Sequence, residues 1–404
     1  MVTLTSRIIG FQIQMCQQKS GLLTDKNRQF QNPPHNFTAF FQTSENRLCG
    51  IVYILLEISA PLYLKQEMCP MNEKIILDVD TGTDDAIALC AALLSKDLDV
   101  LGICTVGDNV ELKNTTDNTL RVVTCCRRSD IPVHAGAPLP MVSTLQPWIA
   151  QAKSLPRKEG QRSQETAIHV DHLPLPETAL KAQDTCACVY LIETLNKAAD
   201  HSITLVPTGP MTNIALALRA DPSIADKIKR IVMMGGTRSV YPDTQAAEFN
   251  VWCDPEALEI VLQSGIDLTM VSLDGTSHAC LNARQAQQIR EIHSAPAELC
   301  AALIEHRLHA SAAHGDTKGT GVGAALHDAL AVCALVHPEV LKIEDVSCHV
   351  DLGHGFAYGE TVLGRNYTEE KLEANCHYAF SADSGICFHW LYSTLKEGSV
   401  KQAA

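Results

Sequence analysis

Four carboxylates fall within eight residues in the run Asp78-Val79-Asp80-Thr81-Gly82-Thr83-Asp84-Asp85. A short apolar segment ending in carboxylates, Lys74 to Asp80, leads into it, and helix-forming residues follow from Ala86 to Leu94. The run therefore reads as a strand-to-helix turn. Gly82 would let the chain fold back tightly. Thr83 would cap the helix, and Asp84 and Asp85 would favour its first turn through the helix dipole. That arrangement explains the last two carboxylates but not Asp80, which ends the strand and faces the same turn. Three carboxylates brought so close repel one another unless they are protonated or joined by a cation. Hard cations take oxygen ligands of this kind, so the spacing favours a metal site over simple capping.

A phosphatase of the haloacid dehalogenase type also opens with Asp-x-Asp at the end of a strand. Its pattern needs Thr four residues after the first Asp, where this chain has Gly82. Thr83 comes one residue late, and the Asp84-Asp85 pair is foreign to that pattern.

The elements that must carry these residues repeat along the chain. Val100-Leu-Gly-Ile-Cys-Thr-Val106 is followed by helical sequence from Glu111 to Arg127. Ile203-Thr-Leu-Val-Pro-Thr208, Ile231-Val-Met-Met234 and Leu268-Thr-Met-Val-Ser-Leu273 continue the alternation. Continuous apolar strands alternating with helices predict an α/β fold, a single doubly wound, mostly parallel sheet with helices on both faces. Ligands of such sheets sit outside the carboxyl ends of the strands, which is where the polar residues of this chain collect.

Composition narrows the partners. The chain has 404 residues, 46% of them hydrophobic and 19% charged, enough apolar material for a sizeable core. Its net charge of −14 disfavours phosphate backbones and anionic lipid surfaces, so neither nucleic acid nor membrane is expected as a partner. The 16 cysteines are scattered and contain no CxxC spacing. They read as reduced thiols in an intracellular, cytoplasmic protein, with Cys90, Cys104 and Cys333 as core residues. Cys125-Cys126 and Cys186-x-Cys188 are expected to be buried thiols too.

Residues 1–70 differ from the rest. They mix Gln, Asn, Phe and Pro without periodicity, and their apolar stretch from Ile51 to Leu64 is broken by Glu57 and Pro61. It is shorter than the ~20 residues of a membrane helix and starts too late for a signal peptide. This segment is expected to be a poorly ordered, dispensable extension, with a catalytic domain over 71–404.

Beyond the first carboxylate run, four further blocks follow in a fixed order. They are Thr105-Val-Gly-Asp-Asn109; Val206-Pro-Thr-Gly-Pro-Met-Thr-Asn213; Met234-Gly-Gly leading to Ala247-Glu-Phe-Asn-Val-Trp-Cys-Asp-Pro-Glu256; and Leu326-His-Asp328. With Asp78 through Asp85, these blocks resemble the nucleoside hydrolases of the inosine–uridine-preferring type over about residues 73–395. The resemblance implies Ca²⁺-dependent hydrolysis of the N-glycosidic bond of a small-molecule ribonucleoside, giving ribose and a free purine or pyrimidine base. It implies Asp80, Asp85 and Asp328 as calcium ligands, joined by the main-chain carbonyl of Thr208. Asp80 would also take the proton of the attacking water. Asp84, Asn109 and Asn250 would bind ribose hydroxyls, Glu248 would lie near the 5′ side, and Met234 would pack near the sugar. His327 would contact the leaving base. A homo-oligomer, dimer or tetramer, is the implied assembly.

Two stretches depart from the family. The expected His-Gly-x-x-Gly-type loop reads Glu165-Thr-Ala-Ile-His-Val-Asp-His-Leu-Pro174, leaving His169 or His172 as stand-ins. Pro242 occupies the position of an Asn that helps hold the 5′-hydroxyl. A catalytically weak ribose-binding relative is therefore a further reading. Between His306 and His327 the chain has no tyrosine where the family often carries one. His314, beside several glycines, is a second candidate to protonate the base, against the simpler view that His306, His309 and His314 are exposed helix residues.

Overall fold

The computed structural model describes residues 72–145, 168–238, 246–313, 323–364 and 373–403. The proposed extension over 1–70, His314 and Pro242 lie outside the described residues. Those described all belong to one compact unit, Pro70–Ala404.

Eleven strands are described: β1 (Glu73–Val79), β2 (Leu98–Thr105), β3 (Val133–Ala135), β4 (Ile203–Pro207), β5 (Ile228–Met234), β6 (Leu268–Val271), β7 (Cys280–Leu281), β8 (Ala324–Ala325), β9 (Leu341–Val350), β10 (Thr361–Gly364) and β11 (Cys376–Ala382). Nine of them form one sheet in the order β10-β9-β11-β6-β5-β4-β1-β2-β3, and β7 pairs with β8. Neighbours from β3 to β11 run parallel, while β9 lies antiparallel to both β11 and β10. The mostly parallel α/β sheet expected from the sequence is the one found.

The alternation of side chains along β1 shows why both faces must be covered. Ile75, Leu77 and Val79 belong to one core cluster, whereas Ile76 belongs to the other. Principal helices supply the cover: α1 (Thr83–Leu94), α2 (Leu112–Cys125), α3 (Ala187–Asn196), α4 (Thr212–Ala220), α5 (Phe249–Cys253), α6 (Pro255–Leu262), α7 (Ala295–Ala313), α8 (His327–Val336) and α9 (Ser384–Ala403). All residues of α1 are buried, because α7, α8 and α9 pack around it. That environment selects its Ala-, Leu- and Ile-rich sequence.

Three local expectations change. Helix α1 starts at Thr83 with Gly82 as its cap residue, so Thr83 is inside the helix rather than capping it. Gly82 has an ordinary negative φ; what it provides is room, since a Cβ there would fall 2.1 Å from His169 Nδ1. Cys186 is exposed and Cys125 and Cys188 are half-buried, because they sit at helix ends; Cys126 is buried. His306 is half-buried on α7, and His309 is exposed.

Candidate active site

The order of the sheet reverses at β1, which has β2 on one side and β4 on the other. Loops leaving the carboxyl ends of β1 and β4 therefore diverge and leave a crevice between them. Asp80 follows β1, Asn109 follows β2, Thr208 follows β4 and Met234 ends β5. Asp84 and Asp85 stand in the first turn of α1, and His327 and Asp328 open α8. The fold thus brings these residues to one end of the sheet from five separate stretches of the chain.

Asp85 is held by three donors. Its Oδ2 accepts from Gly82 N at 2.9 Å and Asn109 Nδ2 at 3.3 Å, and its Oδ1 accepts from Thr208 Oγ1 at 2.7 Å. Asp80 Oδ2 accepts from Asn109 N at 3.1 Å. A Cβ on Gly209 would meet Asp80 Cγ at 2.9 Å, so this close approach requires glycine. Deeper in the wall, Asn213 Nδ2 donates to Asp78 Oδ1 at 2.8 Å and to the Thr105 carbonyl at 3.1 Å.

Asp84, Asp85 and Asp328 are buried and offer carboxylate oxygens that all lie within 4.8 Å of one another. This trio differs by one member from the expected ligand set, with Asp84 in the place of Asp80. Asp80 Oδ1 and Asp84 Oδ1 are buried and accept no hydrogen bond. Burying such acceptors unpaired is costly. Burial, then the charges of Asp85 and Asp108, push the Asp80 carboxyl well above its ordinary range. Burial, then Asp84, raises Asp85 to about 6. Asp328 is raised by burial and then by Asp84, Asp85 and Asp80. A group of carboxylates that resist ionising together fits a divalent cation, whose charge would remove the repulsion. The donor set, entirely oxygen, suits a hard ion.

Asp84 behaves differently. Burial alone would raise it, but Arg307, His169 and His327 outweigh burial and bring it down to about 2. Arg307 Nη1 lies 3.2 Å from Asp84 Oδ2, and His169 Nδ1 lies 3.7 Å from Oδ1. His169 is thus brought to the carboxylates, whereas His172 is turned toward Asp117 at 3.4 Å and is largely exposed.

Asn250 Nδ2 donates to the Thr208 carbonyl at 2.7 Å and to the Met234 carbonyl at 3.2 Å. It ties the ends of β4 and β5 together. Glu248 caps α5: Oε1 accepts from Asn250 N at 2.9 Å, and Oε2 accepts from Val251 N and Gly236 N, both at 3.1 Å. Its carboxylate is therefore occupied with backbone donors that fix the Gly235-Gly236 turn beside the crevice. Gly236 has a φ of +79°, which favours glycine.

His327 Nδ1 lies 2.8 Å from Thr276 Oγ1. Burial first, then Arg307, brings its imidazole down to about 4, so the ring is neutral at pH 7. When Thr276 donates to Nδ1, the ring proton sits on Nε2 and is available to a leaving base. If His327 serves the base, His327→Ala should lower turnover of inosine by roughly 10²–10⁴-fold and spare most turnover of a nitrophenyl riboside, whose leaving group needs no acid. Parallel steady-state assays of His314→Ala compare the two candidates. A His327→Ala protein that loses both substrates equally would remove the base-protonating role.

Sequence alone assigns no role to Thr276, Asn213 or Arg307, and does not place His169. Arg307 lies inside the His306-Arg-Leu-His309 stretch, but nothing in that stretch points toward Asp84.

A family model described as inosine-uridine preferring nucleoside hydrolase matches residues 75–388. The pyrimidine-specific ribonucleoside hydrolase RihA of Escherichia coli O9:H4 (strain HS) is 37% identical over 293 residues, covering 72% of this chain and 89% of that protein. RihA of Shewanella oneidensis is 37% identical over 297 residues, covering 74% and 87%. The structure of a purine-preferring ribonucleoside hydrolase from Gardnerella vaginalis superposes with a TM-score of 0.69 at 26% identity, covering 81% of this chain and 100% of that one. A match of this extent, on a fold whose switch point gathers the matched carboxylates, shows that the chain belongs to the inosine-uridine preferring nucleoside hydrolases, enzymes that hydrolyse ribonucleosides.

Proposed function

We propose that calcium serves the hydrolysis of ribonucleosides by this chain, and that pyrimidine nucleosides are its preferred substrates. The observation that carries the first part is the buried Asp80 Oδ1, which accepts no hydrogen bond, in a wall of carboxylates shared with Asp84, Asp85 and Asp328. Asp80, Asp85, Asp328 and the Thr208 carbonyl would hold the ion. When bound, it supplies charge that orients the sugar diol and acidifies a water near neutral pH. Asp80 Oδ1 takes the proton of the water that attacks the anomeric carbon. Asp84 Oδ1, Asn109 and Asn250 bind ribose hydroxyls, and Met234 packs against the sugar. Cleavage of the C–N bond builds positive charge on the ribose, which the surrounding carboxylates stabilise. His327 Nε2 donates to the departing base. Cytoplasmic action is part of the same reading, supported by described cysteines that are all free. No described helix is long and apolar enough to cross a membrane.

The base preference rests on the relatives at 36–37% identity, which are named pyrimidine-specific. The purine-preferring structural neighbour is more distant, at 26%. Release of reducing sugar from uridine, cytidine, inosine and guanosine tests it. The two pyrimidine nucleosides are expected to show kcat/KM at least roughly tenfold higher, a margin that 1.4 kcal/mol of differential binding supplies. Faster inosine or guanosine turnover would overturn the preference. No sugar release from any nucleoside would favour the weak ribose-binding relative.

A further inference from the structure

Arg307 is a charged residue that the hydrolytic mechanism leaves unused. It is 6% exposed on α7, whose helix packs against α1. Burying a guanidinium is costly unless it is paired, and this one is paired at the active site. Its Nη1 lies 3.2 Å from Asp84 Oδ2 and donates to Thr83 Oγ1 at 3.0 Å. Thr83 Oγ1 in turn donates to the Ile168 carbonyl at 3.0 Å, and the next residue, His169, reaches the other oxygen of Asp84 at 3.7 Å. A chain of polar contacts thus runs from α7 across the start of α1 to the 168–169 loop. At its centre, one Asp84 oxygen is anchored and the other accepts no hydrogen bond.

We propose that Arg307 is a positioning residue that aims Asp84 at the sugar, its guanidinium holding Oδ2 so that Oδ1 is presented to a ribose hydroxyl. The assignment rests on the reading of Asp84 as a ribose ligand. Free of such an anchor, an aspartate can rotate about its side-chain bonds and populate rotamers that face the other carboxylates or the solvent. A charged partner in ion-pair contact restricts that rotation more strongly than a neutral one. The pairing also places a positive charge beside the carboxylates without placing it on the sugar. Lysine would keep the charge but place it on a compact, rotatable ammonium in place of the rigid guanidinium whose Nη1 meets both Thr83 Oγ1 and Asp84 Oδ2, and would not hold the same oxygen in the same direction.

The test is a double-mutant cycle on the full chain with calcium present, using Arg307→Met, Arg307→Lys, Asp84→Asn and the Asp84→Asn/Arg307→Met pair. Steady-state kinetics on uridine and on a nitrophenyl riboside are read beside ribose binding by calorimetry. Arg307→Met is expected to lower kcat/KM by roughly 10–100-fold, the scale of a hydrogen bond to a charged group, and to weaken ribose binding in parallel. Arg307→Lys is expected to recover part of the loss. In the Asp84→Asn background the same Arg307 change should cost less than about threefold, because its target is already gone. Equal losses in both backgrounds, or no loss with Asp84 intact, would overturn the proposal. Should Arg307→Met fail to fold, the cycle is closed with Arg307→Lys, which keeps a buried cation, and the same inequality decides. Wild-type protein that binds ribose without hydrolysing any nucleoside would count against the hydrolase reading, while the ribose affinities would still judge Arg307.

Discussion

Replacing Asp80 by asparagine is expected to lower kcat by roughly 10²–10⁴-fold, the range of a positioned general base, while leaving the fold intact. The side chain is fully buried, its Oδ2 is fixed by Asn109 N, and its Oδ1 is unpaired. An amide occupies the same volume and can still accept from Asn109 N, so packing does not change. On the proposed reading, what disappears is the proton acceptor and one ligand charge. The stability consequence has a definite sign. Burial and the charges of Asp85 and Asp108 already oppose ionisation of Asp80. Without added calcium, the neutral amide should therefore melt no lower than the wild type. With calcium added, the wild type should gain more than the variant, because ligand binding stabilises in proportion to affinity and the variant has lost a charged ligand. Kinetics and thermal melts with and without calcium check both halves. Near-normal turnover, or an unchanged calcium increment, would mean that the carboxylate run is a structural turn.

The strand ends carrying this chemistry are readable because parallel, fully buried strands leave continuous apolar runs. The runs Lys74 to Asp80 and Ile203 to Thr208 end one residue beyond the observed β1 and β4. The site residues at those ends, Asp80 and Thr208, follow from the same logic. The role of Gly82 is not readable in this way because the constraint is tertiary: the neighbour that needs its space is His169, from a loop distant in sequence. Arg307 is illegible for the same reason. A single arginine in a helix of mixed polarity reads as a solvated residue, and its partner on α1 appears once α7 is laid across α1 in three dimensions. Glu248 shows the converse. The resemblance places it near the 5′ side of the sugar, and the chain around it folds so that three backbone N–H groups surround its oxygens. Sequence spacing cannot reveal that cap because one donor, Gly236, comes from before the intervening loop.

Removing calcium with a chelator should abolish most ribonucleoside turnover, and the calcium dependence should carry a pH signature. The carboxyls that would hold the ion are raised, Asp85 to about 6 and Asp80 and Asp328 well above their ordinary range, chiefly by burial. A carboxyl raised in the folded state keeps its proton at low pH. There it contributes stability to the ion-free chain that is lost as pH rises through the folded value. Binding calcium must displace those protons, so affinity should rise with pH. For every pH unit that the solution lies below a carboxyl's folded pKa, displacing its proton costs about 1.36 kcal/mol. The increase in melting temperature on adding a fixed calcium concentration should therefore be small at pH 5 and larger at pH 8; a hundredfold excess over Kd is worth about 2.7 kcal/mol. The same site should discriminate sugars. A 2′-deoxynucleoside lacks one hydroxyl of the diol that the ion and Asp84 would share, so its kcat/KM should fall by at least roughly 10²-fold, as when a charged, desolvated partner is left unmatched. Differential scanning calorimetry across pH, and uridine against 2′-deoxyuridine with and without chelator, measure the two effects. A calcium increment independent of pH would place the ion away from Asp80, Asp85 and Asp328. Equal rates on the two sugars would mean that the carboxylate wall does not hold the diol.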